Sequence, residues 1–267
     1  MGNDKPAGGQ GEGGARLPLR ERKKLRTRET LIDTALELFT ARGFGGVTLD
    51  ELCDTVETSK RTFFRHFTSK EDVAMAPTQD LWLAWLEELR AGTPDGRTLL
   101  DVLRDSLLAA LERMRTAGAG PDRTGRDGAW AGRVLLSRQL AGRTPSMNAH
   151  GLRFCEETSH RALAVLDERF GLRTEDDPRP RLAVDMVVAA FHWAMESWVA
   201  LAVAPGPADA SHPTGTPDAS GTPGGSGTAG APRAVEAPGI DELAARTRAA
   251  CAALPESLTL TVDGPRP

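Results

Sequence analysis

Tyrosine is absent from the 267 residues, and aromatic side chains make up only 5% of them. No phenolic hydroxyl is therefore available for proton transfer or for a phosphate contact. Cysteine is scarce as well: Cys53, Cys155 and Cys251 are odd in number and far apart. Neither a disulfide framework nor a zinc-ligand spacing can be built from them, so buried free thiols in a reducing cytoplasm are expected. His150, Cys155 and His160 recur every five residues, which turns successive side chains by about 140° on a helix. They cannot converge on one metal ion. Nucleophile elbows, phosphate loops and metal-ligand sets are missing, so neither catalysis nor a cofactor is expected.

Long apolar runs are also lacking. The N-terminus is rich in Gly and charge, unlike a signal peptide. The most apolar stretch, Leu182 to Val203, is interrupted by Asp185 and Glu196, and the run between them is half a bilayer span. A buried helix of a cytoplasmic protein with no membrane partner is the expectation. Two-residue alternation bounded by turn residues is not found, which leaves an all-α fold.

Charge is present but uneven. The net charge is −4, yet Arg16 to Lys70 carries twelve Lys/Arg against eight Asp/Glu. A basic N-terminal third joined to an acidic remainder suits a nucleic-acid reader attached to a body with another task.

Helix signals follow in close order. Leu31, Ile32, Ala35, Leu38 and Phe39 form one apolar stripe, and Gly43 ends that helix with Arg42 in its last turn. Thr48 opens the next helix, with Glu51 at capping-box spacing. Ser59 can cap a third helix, and Ser69 with Asp72 marks a fourth start. Beyond Pro77 the spacing predicts helices over 78–91, 98–116, 128–141, 147–170, 180–203 and 240–254, separated by Gly/Pro-rich breaks.

The segment Ser59 to Phe67 carries two chemistries. Phe63 and Phe67, four apart, can both enter a core. Lys60, Arg61, Phe64 and Arg65 share the other side, about 140° wide at 100° per residue. Thr62 falls on the boundary between them. Following the amphipathic segment Thr48 to Val56, this reads as a helix-turn-helix whose second helix meets DNA. Lys60 and Arg61 lie near the end that enters the groove and are candidates for base edges. Arg65 suits a phosphate or a guanine, and Phe64 suits apolar contact with sugar or a thymine methyl. Arg20, Arg22, Lys23, Lys24, Arg26 and Arg28 form a basic approach able to lie along the backbone. Lys70, at a helix N-terminus, is a candidate phosphate seat.

Together, Thr30 to Phe44, Val47 to Leu52, Ser59 to Phe67 and Ser69 to Asp72 resemble the N-terminal domain of the TetR family. The resemblance covers about residues 20–75. It implies an all-α homodimer that binds a double-stranded operator through paired three-helix domains. It also implies a divergent helical body that dimerises and takes a small-molecule effector, whose binding releases the DNA. By motif position, Thr48, Ser59, Lys60, Arg61, Thr62, Phe64, Arg65, His66 and Lys70 fall at or beside DNA-contact positions. Glu57 stands where the family often has a turn Gly, Arg61 replaces a frequent small residue, and Phe64 replaces a frequent Tyr.

The domain organisation expected is a disordered tail at 1–18 and a helix-turn-helix domain at 19–75. A helical regulatory and dimerisation domain at 76–204 and 239–256 follows, with a tail at 257–267. Residues 205–238 are nearly all Pro, Gly, Ala, Ser, Thr and Asp, too poor in apolar surface to order themselves. They are expected to form a flexible insert with a reach of roughly 30–35 Å. Within the body, Trp130, Phe154, His160, His192, Trp193 and Glu196 are large or polar groups on apolar helices, and are the candidates for an effector cavity. The expected function is a dimeric, effector-responsive regulator, most simply a repressor. The alternative is an adaptor whose helix-turn-helix meets protein.

Overall fold

The apolar stripe of the first helix predicts its packing. In the computed structural model, which describes residues 18–117, 127–203 and 237–260, α1 (Leu19–Arg42) buries Leu31, Ile32, Ala35, Leu36 and Phe39. Its first two turns project from the fold with every residue from Leu19 to Arg26 exposed. A short 3-10 turn (Phe44–Gly46) leads to α2 (Leu49–Thr55) and α3 (Lys60–Phe64). Val47, Leu52, Phe63 and Phe67 close over the stripe of α1 to make the head's core. The tails at 1–17 and 261–267 and the expected insert, through residue 236, lie outside the described residues.

The fourth helix differs from expectation. The helix start at Ser69 and Asp72 and the helix expected over 78–91 are one element: α4 runs unbroken from Lys70 to Ala91 with Pro77 inside it. Proline in a helix interior removes a hydrogen bond and costs about 3 kcal/mol in isolation. Burial on both sides offsets that here. Val73, Ala74, Met75 and Ala76 belong to the head core, while Leu81, Trp82, Trp85, Leu86 and Leu89 belong to the core of the body. The division expected at residues 75 and 76 thus falls inside one helix that serves both cores.

The body adds α5 (Leu99–Ala117), α6 (Asp127–Ala141), α7 (Pro145–Phe170), α8 (Pro178–Val203) and α9 (Ile240–Ser257). Among the described residues every regular element is a helix. Trp82, Trp85 and Phe191 meet edge to face at the centre, with centroids 5.4 and 5.1 Å from Trp82. The α7 helix ends at Gly171, held at φ 64°, a left-handed cap that glycine adopts without strain.

Two bidentate ion pairs tie head to body. Arg28 grips Asp80 of α4 through two contacts of 2.8 Å. Arg133 of α6 grips Asp33 of α1 at 2.5 and 2.6 Å. Paired planar groups of this kind fix orientation as well as distance. The α8 helix is long and apolar enough to cross a membrane by composition alone. Its inner face, with Val184, Val187, Phe191 and Trp198, is core, and its outer face exposes Leu182 and Trp193.

Candidate nucleic-acid interface

The two short helices are positioned by their caps. The Thr48 hydroxyl accepts from the Glu51 N–H at 3.2 Å, and the Glu51 carboxylate accepts from the Thr48 N–H at 2.8 Å, a complete capping box. The Arg42 guanidinium also reaches Glu51, at 2.9 Å. With the Thr48 backbone bond as the leading cause and Arg42 next, the Glu51 carboxyl is held down at about 2. Ser59 caps α3 by accepting from the Thr62 N–H at 3.1 Å.

Between them the chain reverses through a Schellman turn. Thr58 N–H donates to Cys53 O at 2.8 Å and Glu57 N–H donates to Asp54 O at 3.0 Å. The residue at the left-handed position is Glu57, at φ 54°. The turn therefore keeps its geometry without the usual glycine, at the expense of backbone strain. Hydrogen-bond closure at three points and burial of Leu52 and Phe63 on either side hold it.

The reading face follows the helical wheel. Phe63 and Phe67 are buried, while Lys60, Arg61, Phe64 and Arg65 are exposed and Thr62 is half-buried. The exposed Phe64 ring stands edge-on to Phe63 at 5.5 Å. The helix is shorter than expected, ending at Phe64, with Arg65 as its C-cap in right-handed geometry. Arg61 and Arg65 have no ion-pair partner among the described residues, whereas Lys60 pairs with Asp50 at 2.7 Å. That bond is the main reason the Lys60 ammonium holds its proton more tightly than usual.

Two cations and one imidazole of the head turn inward rather than towards solvent. Lys70, expected to seat a phosphate, turns its ammonium inward: it donates to the carbonyls of Phe44 at 3.0 Å and Val47 at 2.6 Å and lies 4.7 Å from the Phe44 ring centroid. It locks the loop before α2. Arg28, expected in the basic approach, turns inward to Asp80 and over the Phe67 ring. His66 is half-buried, and its Nε2 has no hydrogen-bond partner among the described residues. Burial, with Arg65, Lys24 and Arg28 adding to it, pushes its pKa below the ordinary value.

A cleft of about 740 Å³ separates the start of α1 from the α2–α3 turn. Arg20, Lys23, Lys24, Arg26 and Arg65 line it, with Glu21 and Glu57 as the opposing charges. Cations from the start of α1 thus share one cleft with Thr62 of α3 and with Arg65 at its C-cap. Such a surface suits a polyanion backbone alongside a groove-reading helix.

The body holds a second concavity, of about 170 Å³, among α4, α6, α7 and α8. Of the six residues expected there, Phe154, His192 and Glu196 line it. The other three do not. Trp130 packs against the body core and donates to Pro77 O at 3.0 Å, and His160 and Trp193 face outward. Sequence reasoning missed Met75, Thr78, Gln79, Trp82, Arg138 and Cys155 among its walls. Thr78 and Gln79 carried a usable signal, being polar residues within an otherwise apolar helical segment. Cys155 is half-buried with its Sγ 3.7 Å from His192 Nε2, while Cys53 and Cys251 are buried.

The profile of the bacterial regulatory proteins of the tetR family matches residues 31–76, from α1 into α4. Over 180 residues, 67% of this chain and 76% of the relative, the sequence is 37% identical to the HTH-type transcriptional regulator TcmR of Streptomyces glaucescens. The chain belongs to the TetR family. As a TetR-family member it is a DNA-binding regulator of transcription. This TetR-family chain is also 37% identical over 78 residues to the HTH-type transcriptional activator FasR of Mycolicibacterium smegmatis, covering 29% of this chain and 33% of that one. A solved TetR-family regulator from Mesorhizobium loti superposes with a TM-score of 0.40 at 16% identity, covering 88% of this chain and 98% of the other.

Proposed function

We propose that this regulator is a cytoplasmic homodimeric repressor that leaves a palindromic operator when a small effector enters its helical body. The observation that carries the reading is the pairing of exposed Arg61 on α3 and Arg65 at its C-cap, neither with an ion-pair partner among the described residues, with the cationic cleft beside them. Arg61 lies in the first turn of α3, the end that meets base edges in helix-turn-helix proteins. Lys23, Lys24 and Arg26 supply affinity without sequence information.

Dimerisation is supported by the outer face of α8. Leu182, Met186, Ala189, Trp193 and Ala200 fall within about 60° on a helical wheel, and Leu182 and Trp193 are each 56% exposed. Beside it, α9 exposes Ala245, Ala249 and Ala252. Large side chains next to a flat alanine surface suit an isologous contact between two copies. Two heads held by one rigid body can match half-sites about 34–36 Å apart, and a body that favours another spacing when occupied would release them.

Electrophoretic retardation on the operator, located by footprinting promoter DNA, tests the reading. Each of Arg61→Ala and Arg65→Ala should weaken binding by about 1–3 kcal/mol, with helical content and dimer mass unchanged. Unaltered affinity in both variants would overturn the assignment of α3 as the reading helix.

A further inference from the structure

We propose that the cavity among α4, α6, α7 and α8 is built for a single-ring carboxylate, an aromatic or alicyclic acid with its anionic group turned to the protein's donors. The proposal rests on the effector-responsive reading above and gives that effector a chemical class.

Size sets the first limit. At about 170 Å³, the cavity is close to the engineered cavity of about 150 Å³ that holds benzene. One ring and a small substituent fill it.

The walls set the second. Trp82 is 1% exposed and Thr78 is 8% exposed, and both line the cavity. The Trp82 Nε1–H and the Thr78 hydroxyl are buried with no hydrogen-bond partner among the described residues. Buried polar groups are almost always satisfied, and those left open need a reason. An acceptor brought in by a ligand would answer both.

Arg138 sets the third. It is half-buried at the same wall and has no ion-pair partner among the described residues. His192, opposite, is no rival cation: burial first, then Arg138, favours its neutral form, and Glu196 only partly opposes this. Glu196 is the one carboxylate of the lining and is exposed. The amide of Gln79 is already engaged with His150, at 3.1 Å. The inner wall therefore offers donors and a cation in excess of acceptors. A carboxylate accepts from several donors at once and meets a guanidinium in its own plane. Met75 and Phe154 supply the apolar sides for the ring.

The site is also connected to the head. Met75 lines the cavity and belongs to the head core. A Cβ added at Gly151 would stand 3.1 Å from its methyl carbon, so α7 and α4 are already in close contact at this point. A ring entering here displaces Met75 or moves α4.

Benzoate titrated into the full-length protein by isothermal calorimetry tests the class, with benzyl alcohol as a neutral ring and acetate as a ringless anion. Benzoate should bind at least about tenfold tighter than either control. Arg138→Gln should weaken benzoate about tenfold, the usual scale for one charge-assisted contact, and leave benzyl alcohol unchanged. Trp82→Phe, which keeps an aromatic ring but deletes the N–H with the five-membered ring that carries it, should weaken benzoate similarly. Circular dichroism checks its fold, and the Arg138→Gln arm decides if it does not fold. Benzyl alcohol binding as tightly as benzoate, Arg138→Gln leaving benzoate affinity intact, or no benzoate binding at millimolar concentration would each overturn the proposal. Operator retardation on the same samples separates the two readings. Benzoate that binds with this selectivity yet leaves the operator complex intact upholds the ligand class and overturns effector release.

Discussion

Glu57 offers a prediction whose two halves can be measured apart. It occupies the left-handed position of the α2–α3 turn at φ 54°, where an L-residue is disfavoured by about 1–2 kcal/mol. Glycine avoids that strain but loses more chain freedom on folding, about 0.5–1 kcal/mol. The turn's hydrogen bonds, Glu57 N–H to Asp54 O and Thr58 N–H to Cys53 O, are made by the backbone and survive the change. Glu57→Gly should therefore stabilise the chain by about 0.5–1 kcal/mol, raising Tm by about 1–4 °C. The carboxylate itself lines the cationic cleft, so its removal should also strengthen operator binding a few-fold at low salt. Glu57→Gln separates the effects: it keeps the strain and loses the charge. Thermal and urea unfolding followed by circular dichroism, with fluorescence anisotropy on labelled operator, reads both. Glu57→Gly no more stable than Glu57→Gln would refute the strain argument, and unchanged operator affinity in both would refute the placement of the charge beside DNA.

Two further outcomes follow from the interior. A double-mutant cycle on Arg133→Ala and Asp33→Ala should return a coupling of about 1 kcal/mol, the upper end for a partly exposed pair of ideal geometry; a coupling near zero would remove this pair from the head–body link. His66 and His192 have pKa values below the ordinary one, chiefly through burial, so the unfolded chain binds protons that the folded chain does not. Stability should be full above about pH 6.5 and fall as pH drops through that value towards the folded pKa values. Urea midpoints measured across that range should flatten in His66→Gln combined with His192→Gln, and an unchanged slope would sink the assignment.

What was legible in the sequence was local. Thr48 with Glu51 and Ser59 with Thr62 are caps closed within three residues, so spacing alone locates α2 and α3 and the face that α3 exposes. Partners far along the chain were not legible. Lys70 finds carbonyls 23 and 26 residues away, and Arg28 finds Asp80 52 residues away. Each braces the fold through these partners, which local spacing does not reveal. Pro77 continues a helix because two cores bury it, a tertiary effect that residue preference does not report. The cavity was half legible for a related reason. Of the six candidates, Phe154, His192 and Glu196 line the concavity, while which way Trp130, His160 and Trp193 turn depends on how helices pack against one another. The open donor on Trp82 is visible only once its neighbours are in place.

If each head meets DNA through exposed cations of α1, α3 and the α3 C-cap, as proposed, operator binding must weaken steeply with added salt. Lys23, Lys24, Arg26, Arg61 and Arg65 are exposed on each head. A dimer that engages phosphates with most of them should show log K falling against log salt with a slope of about −6 to −9. A slope near zero, or one unmoved by Arg65→Ala, would mean that these cations do not meet phosphates.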